Sequence, residues 1–383
     1  MHSNFKECIF FIYMLVGELT KYLDDWAPPG VAWERDNVGL LVGSSRQKVN
    51  NVMLCLELNQ KVLNAALKIN CNFIFTHHPL IFNPIKKLNF EIDRTSKLIE
   101  ILIKNNISVY CAHTNLDSIK NGVSFELAKT IQLKNISFLE LEEANQYKVV
   151  VFIPADYVDE VSNAVFKFGA GVIGEYSNCS FRLNGEGTFK GSNISKPTVG
   201  KKNKFEKVNE IRLEFIIDEW KLDNVITALL NAHPYEEPAY DIYPLKNKNV
   251  NYGAGTIGNL IKPMNKKAFL AFISKKLKIE ILKYCDGKKN IINKVAVCGG
   301  AGFELINHAI DSGADAFITS DIKYHSYQDA ESKILLIDAG HYNTEIFSLN
   351  SVLGKIKKVI SSTDKIKVFK YSGNTNPIKF YKQ

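Results

Sequence analysis

NVMLCLELNQKVLNAALKINCNFIFTHHP, residues 51–79, holds two continuous apolar runs around a segment of helical period. NVMLCLEL and CNFIFTHHP read as strands buried on both faces, and NQKVLNAALKIN between them reads as the crossover helix that parallel strands require. The pattern continues outward. EIDRTSKLIEILIKNN (91–106) predicts a second helix and ISVYCAHTNLD (107–117) a third strand. On the N-terminal side, MLVGELTKYLDDWAP (14–28) predicts an amphipathic helix stopped by Pro28–Pro29. Alternating strands and helices argue for an α/β sheet, in which functional groups collect at the carboxyl ends of the strands.

Two further blocks follow. YKVVVFIPA, DYVDEVSNAVFKFGA, a glycine-turned strand pair over 174–190, NEIRLEFIID, KLDNVITALLNAH and PAYDIYPL give the order β-α-β-β-α-β of a ferredoxin-like module, with 191–209 as a loop insertion. KVAVCGG, FELINHAIDSG, ADAFITSD, YHSYQDAESK and ILLIDAGH then restore α/β alternation. The expected organisation is one α/β domain in two parts, 1–145 and 247–383, interrupted by an inserted domain over 146–246. Residues 1–13 are read as an extension ahead of the first helix.

At 383 residues, 46% hydrophobic and 23% charged, the chain has material for two or three cores. Its net charge of +8 is spread out, and the densest group, Lys201, Lys202, Lys204 and Lys207, reads as a solvated loop. No zinc-finger, helix-turn-helix or RNP-like motif accompanies it, so nucleic acid is not an expected partner. The apolar run Cys8–Val16 is too short for a bilayer span, and no membrane association is expected. Seven cysteines without a CxxC pair, several inside apolar runs, suit a reducing, cytoplasmic compartment.

The chemistry concentrates at strand ends: THHP (His77, His78), AHTNLD (His113, Asp117) and DAGHYNTE (His341, Glu345). Adjacent side chains of a strand point to opposite faces, so His77 and His78 cannot enter the same core; at a turn they can straddle a metal pair. His341 and Glu345 fall one helical turn apart on one face. Each motif has a plainer explanation singly, a turn or a helix cap, but three coinciding at strand ends favour one shared site. Imidazole with carboxylate suits Zn, Mn, Fe, Co or Ni without choosing among them. Two such ions activate water, and hydrolysis is the natural chemistry. GAGTIG (253–258) lacks a following helix start and reads as a closely packed strand, while CGGAG (298–302) reads either as backbone amides offered to an anion or as a tight strand–helix turn that uses glycine anyway. Asp321 and His325 suit supporting or proton-donating roles and, equally, those of a capping aspartate and a surface histidine; His233 suits a loop role and His308 a structural one.

In order along the chain, AWERDNVGLLVG (32–43), THHP, AHTNLD, VCGG (297–300), TSDIKYH (319–325) and DAGHYNTE resemble the dinuclear-metal family of GTP cyclohydrolase 1 type 2 homologues, YbgI- and YqfO-like. The central GAGVIGEYSNCSFRLNGEGTF and HPYEEPAYDIYPL resemble the inserted PII-like, CutA-like domain of its longer members. The resemblance implies two divalent ions held by His77, His78, Asp117 and His341, with Glu345 bridging and His113 an additional or supporting ligand. It also implies a toroidal homohexamer and, through the family name, opening of the GTP imidazole ring or action on a related nucleotide, with His113 or His325 moving protons. The chain departs from the family at Ser124–Phe125, where an Asn-Asp pair is usual, and at Ser320, where glycine is common. The rival reading is a non-catalytic metal-binding or regulatory ring whose inserted domain senses a small molecule.

Overall fold

The computed structural model describes residues 13–143, 145–360 and 365–381, so nearly all of the expected N-terminal extension lies outside the described residues. The chain divides into two compact units, 1–140 with 254–383, and 141–253. Strands of the first part are β1 (Gly39–Val42), β2 (Asn51–Cys55), β3 (Phe73–Thr76), β4 (Ser108–Cys111) and β5 (Lys134–Glu142). The middle supplies β6 (Gln146–Pro154), β7 (Phe181–Lys190), β8 (Phe205–Asp218) and β9 (Tyr240–Pro244). The last part supplies β10 (Asn249–Asn265), β11 (Lys283–Cys285), β12 (Ile291–Ala301), β13 (Ala316–Ser320), β14 (Leu335–Asp338) and β15 (Lys367–Lys370).

The larger unit holds two sheets. The first has the order β1-β4-β3-β2-β15, with β15, β2, β3 and β4 parallel and β1 antiparallel at the edge. The second has the order β11-β14-β13-β12-β10-β5, with β12, β13 and β14 parallel. As the unbroken apolar runs predict, β3, β4, β13 and β14 are buried along their whole lengths.

Local signals set the crossovers. Asn59 caps the helix Gln60–Lys68 by accepting from Val62 N–H at 3.1 Å, and Asp93 caps Arg94–Lys104 by accepting from Ser96 N–H at 2.6 Å. Both helices end in a left-handed asparagine, Asn70 at φ 51° and Asn106 at φ 50°, which turns the chain into the next strand. Leu58, Val62, Leu63 and Ala66 from one crossover and Leu98 and Leu102 from the other bury against Met53, Ile74 and Val109 of the sheet.

The smaller unit is a four-stranded antiparallel sheet, β7-β8-β6-β9, with helices Val158–Lys167 and Leu222–Ala232. Its chain order is the β-α-β-β-α-β read from the sequence. Two details differ. Residues 174–180 form no strand, and β7 is one long strand from Phe181. The insertion stops at 204, because β8 begins at Phe205 and pairs with β7 along its whole length. Lys207 therefore lies in a strand, its Nζ 2.8 Å from Glu186 Oε1. GAGTIG lies within β10, where a Cβ on Gly258 would meet the Lys134 carbonyl oxygen at 2.8 Å; this is the close strand packing expected.

Candidate metal centre

Both sheets of the larger unit deliver strand ends to one place. Beyond Thr76, His77 N–H and His78 N–H donate to the Leu56 carbonyl just past β2, at 3.0 and 2.8 Å, which pins the two histidines at the strand end. Beyond Cys111, one turn of helix, Thr114–Asp117, hangs from His113, whose carbonyl accepts from Asp117 N–H at 3.2 Å. Beyond β14, His341–Glu345 forms another short helix.

Glu345, only 3% exposed, lies at the middle. Its Oε1 is 3.0 Å from His341 Nε2 and 3.6 Å from His77 Nε2, and its Oε2 is 3.1 Å from His78 Nε2. Asp117 Oδ1 stands 3.7 Å from His77 Nε2. Potential ligand atoms of His77, His78 and His113 lie within 4.8 Å of one another, as do those of His78, His341 and Glu345. These are two adjoining groups that share His78.

Four imidazoles are oriented alike. Nδ1 of His77 donates to the Ala112 carbonyl at 2.9 Å, that of His113 to Asp36 at 2.9 Å and that of His341 to Asp321 at 2.5 Å. Nδ1 of His78 lies 3.3 Å from Glu57 Oε1. Each acceptor holds a proton on Nδ1 and turns Nε2 inward, the arrangement in which an outer carboxylate or carbonyl orients a metal-ligating histidine. His78 Nε2 and His341 Nε2 face each other at 3.3 Å. His77 Nε2, Asp117 Oδ1 and Glu345 Oε2 are buried without an aligned hydrogen-bond partner. Leaving one such group unsatisfied costs about 1–3 kcal/mol, and three meeting at one point fit a cation between them. The donor set is sound for Zn, Mn, Fe, Co or Ni.

The electrostatics agree. Burial disfavours charge on His78, yet Glu345 and Glu57 outweigh it and push its pKa up to about 10. The hydrogen bond to Glu345 is the largest influence on His341, pushed up to about 9 against burial with help from Asp321. Burial likewise works against His77, but Asp117 and Glu345 raise its pKa. Glu345 stays well below the ordinary carboxylate range despite burial, because imidazoles surround it. Asp117 is raised, by burial first, with the charge of Glu345 adding to it.

Gly300, on β12, leaves room for this centre. It has φ +66°, and a Cβ there would stand 2.5 Å from Glu345 Oε1. The anion-binding role offered for CGGAG does not hold at its central residues. Gly299 N–H donates to Ser124 Oγ and Gly300 N–H to Thr344 Oγ1, at 3.2 and 3.0 Å, so side-chain hydroxyls already take those donors. Ser124, one of the departures, thus braces β12 and lines a cavity of ≈ 170 Å³ that opens on His113, Asp117, His341 and Glu345.

Of the sequence-predicted residues, His77, His78, His113, Asp117, His341 and Glu345 are brought together, with Asp321 behind His341. His325 is not among them: it is exposed, and its Nδ1 pairs with Gln328 Oε1 at 3.0 Å. His308 is exposed, not packed among apolar neighbours, and its Nε2 is 3.0 Å from Glu140. His233 is buried in the smaller unit, with Nε2 donating to the Phe152 carbonyl. Two residues had no role in the sequence reading. Glu57 is the penultimate residue of NVMLCLEL, where an acid interrupting an apolar run was a visible signal. Asp36 sits inside AWERDNVGLLVG; it is buried and tied to His113 and Thr114, and those hydrogen bonds overcome burial to depress its pKa.

A family model described as Duf34/NIF3 (NGG1p interacting factor 3) matches residues 14–377. A Halalkalibacterium halodurans protein named GTP cyclohydrolase 1 type 2 homolog is 35% identical over 358 residues, covering 93% of this chain and 96% of its own. A Bacillus subtilis protein of the same name is 34% identical over 368 residues, 95% and 98% of the two chains. Among solved structures, a Bacillus cereus protein related to NIF3 superposes with TM-score 0.82 at 34% identity, covering 97% of this chain and 100% of its own. The protein ybgI, at 14% identity, 94% and 99% coverage and TM-score 0.56, shares the fold.

Proposed function

The chain belongs to the Duf34/NIF3 family, and from that premise we propose that it holds two divalent ions and acts as a metal-dependent hydrolase. His77, His78, Asp117 and His341 are the ligands in this reading, Glu345 is shared by both ions, and His113 adds to the set or stands beside it. One observation carries the reading: three imidazoles, His77, His78 and His341, each with Nδ1 near an acceptor, turn Nε2 toward the same buried carboxylate. Ions so held supply Lewis acidity and a water acidic enough to attack at neutral pH.

The chain's own residues supply the rest. Asp36 stays anionic behind His113 and orients it, so that His113, on the cavity wall, is placed to take up or return a proton. Lacking contact with the cluster, His325 drops out of that role. The cavity, ≈ 170 Å³, is below the range of about 300–1,000 Å³ usual for whole small-molecule ligands. A nucleotide such as GTP, the substrate class suggested by the relatives' names, would insert its reacting group and leave the remainder outside. That same narrowness favours the second reading, a metal-binding ring without turnover. The toroidal homohexamer and the cytoplasmic setting belong to this proposal; free thiols at Cys55, Cys71 and Cys111 support the latter. Among the described residues no helix is long and apolar enough to cross a membrane.

The test is metal content per chain by elemental analysis for wild type and His77→Ala/His78→Ala, followed by a hydrolase screen that includes GTP. Near two ions, lost in the variant, with product formed only by loaded protein, is the expected result. Little metal even after reconstitution overturns the site; full loading with no product across Mn, Zn, Fe and Co overturns hydrolysis and leaves the second reading.

A further inference from the structure

In the smaller unit, alternate residues of the sheet face two ways. Val149, Val151, Ile153, Leu213, Phe215 and Ile217 point to the side covered by the helices and form the core. Phe152 of β6, Glu210 of β8 and Phe189 of β7 share the opposite side, and there they line a cavity of ≈ 280 Å³. The segment 191–199 closes over it. Two hydrogen bonds strap that segment to the turn after the second helix: Lys196 N–H to Glu236 Oε1 at 2.8 Å, and Thr198 Oγ1 to the Pro234 carbonyl at 2.6 Å.

The carboxylate of Glu210 is held on the cavity wall. Tyr235 O–H donates to its Oε1 at 3.0 Å, while Gly187 leaves room for Oε2, which a Cβ there would meet at 2.0 Å. Tyr235 is fixed in turn by His233, whose Nδ1 accepts from Tyr235 N–H at 3.1 Å and whose Nε2 donates to the Phe152 carbonyl at 3.0 Å. This gives His233 a role: it ties the turn carrying Tyr235 to β6. Phe189 and Tyr235 rings lie 6.2 Å apart at 59°, tilted against each other as one aromatic wall of the cavity. Such a wall offers a ring face on which a flat ring can stack. A carboxylate with acceptor capacity left selects a ring edge carrying N–H donors, and two adjacent donors satisfy it best.

We propose that this cavity is a binding site for a planar nitrogen heterocycle whose edge presents two adjacent N–H donors, as guanine-type bases do, with Glu210 accepting them and the ring resting on the aromatic wall of Phe152, Phe189 and Tyr235. The site uses none of the histidine–carboxylate cluster's residues and stands whether or not that cluster holds metal. A site built around a hydrogen-bond acceptor rejects a ligand lacking the matching donor far more strongly than an apolar surface rejects a change of shape.

The experiment is calorimetric titration of the full chain with guanosine, and with inosine, which keeps the ring N–H but lacks the neighbouring amino group. Wild type, Glu210→Gln and Phe189→Ala are compared, with and without chelator. Saturable guanosine binding, at least tenfold tighter than inosine, weakened at least tenfold in both variants and indifferent to chelation, is expected. Failure of wild type to bind guanosine at millimolar concentration, or unchanged binding in Glu210→Gln, overturns the site. Unaltered circular dichroism and metal content in both variants show that they fold.

Discussion

Glu345→Gln removes a charge but almost no volume, and it strikes the one residue that reaches three imidazoles. Glutamine still fits beneath Gly300 and still offers one carbonyl oxygen, so the fold should survive. What is lost is the anion that would balance the two cations of the proposed centre, and the second oxygen they would share. Removing one partner from a buried, hydrogen-bonded set of charges costs about 3–5 kcal/mol. At about 1.4 kcal/mol per tenfold, affinity should fall by roughly a hundred- to several-thousand-fold. The assay is competition between the protein and a chromophoric chelator for Co²⁺ or Zn²⁺, run beside wild type and Glu304→Gln. Glu304 lines the same cavity but is exposed and makes no contact with the histidines, so its variant should bind as wild type does. Retention of both ions by Glu345→Gln, within about threefold of wild-type affinity, would refute the bridging role and the reasoning behind it.

Gly300→Ala replaces no proposed ligand, yet its Cβ would meet Glu345 Oε1 at 2.5 Å from a backbone at φ +66°; chelator competition should show weakened metal binding, with about 1–3 kcal/mol lost from stability. His78 and His341, at about 10 and about 9, carry protons at pH 7 that a metal must displace, so calorimetry in buffers of different ionisation enthalpy should report proton release and affinity should climb with pH. In chelated protein the sign reverses. Both folded pKa values exceed the ordinary imidazole value of 6.5, so their stabilisation is complete below about pH 6.5 and fades as pH rises through 9 and 10, which melting temperatures across that window will reveal. Asp315 accepts from Lys289 Nζ, Asn293 N–H and Lys294 N–H at 2.6, 2.8 and 2.9 Å, and these outweigh burial to lower its pKa. Asp315→Asn should therefore cost about 1.5–3 kcal/mol in urea unfolding at neutral pH. Because the folded pKa is the lower one, that difference should begin to fade as pH falls below the ordinary carboxylate value of 3.8 and vanish as it passes the folded value.

Periodicity and strand-end chemistry made much of this protein legible. Uninterrupted apolar runs identified β2, β3, β4, β13 and β14 because strands covered on both faces must be apolar throughout. The polar residues terminating those runs, His77, His78, His113, Asp117 and His341, each have a plainer explanation singly, and it is their coincidence at strand ends that points to the cluster they form. Short-range signals, Asn59 and Asp93 as caps and Glu345 four residues after His341, lie within one helical turn and need no tertiary knowledge. What the tertiary structure alone decided is long-range. β15 comes from the far end of the chain to pair with β2, and β5 leaves the first part to edge the second sheet; edge pairing depends on which strand arrives, and a local window carries no trace of it. The same holds for Asp36 behind His113 and Glu57 behind His78, seventy-seven and twenty-one positions away in sequence. A single acid in a loop or at a strand end has no local pattern, and its role appears only when folding places it against an imidazole. His325 shows the converse: a histidine four residues from Asp321 in sequence, turned to solvent from the first turn of the helix Tyr324–Ala330. Sequence set the residue types and the strand ends, because those follow from burial and local hydrogen bonding. Which Nε2 faces which carboxylate was set by the packing of two sheets.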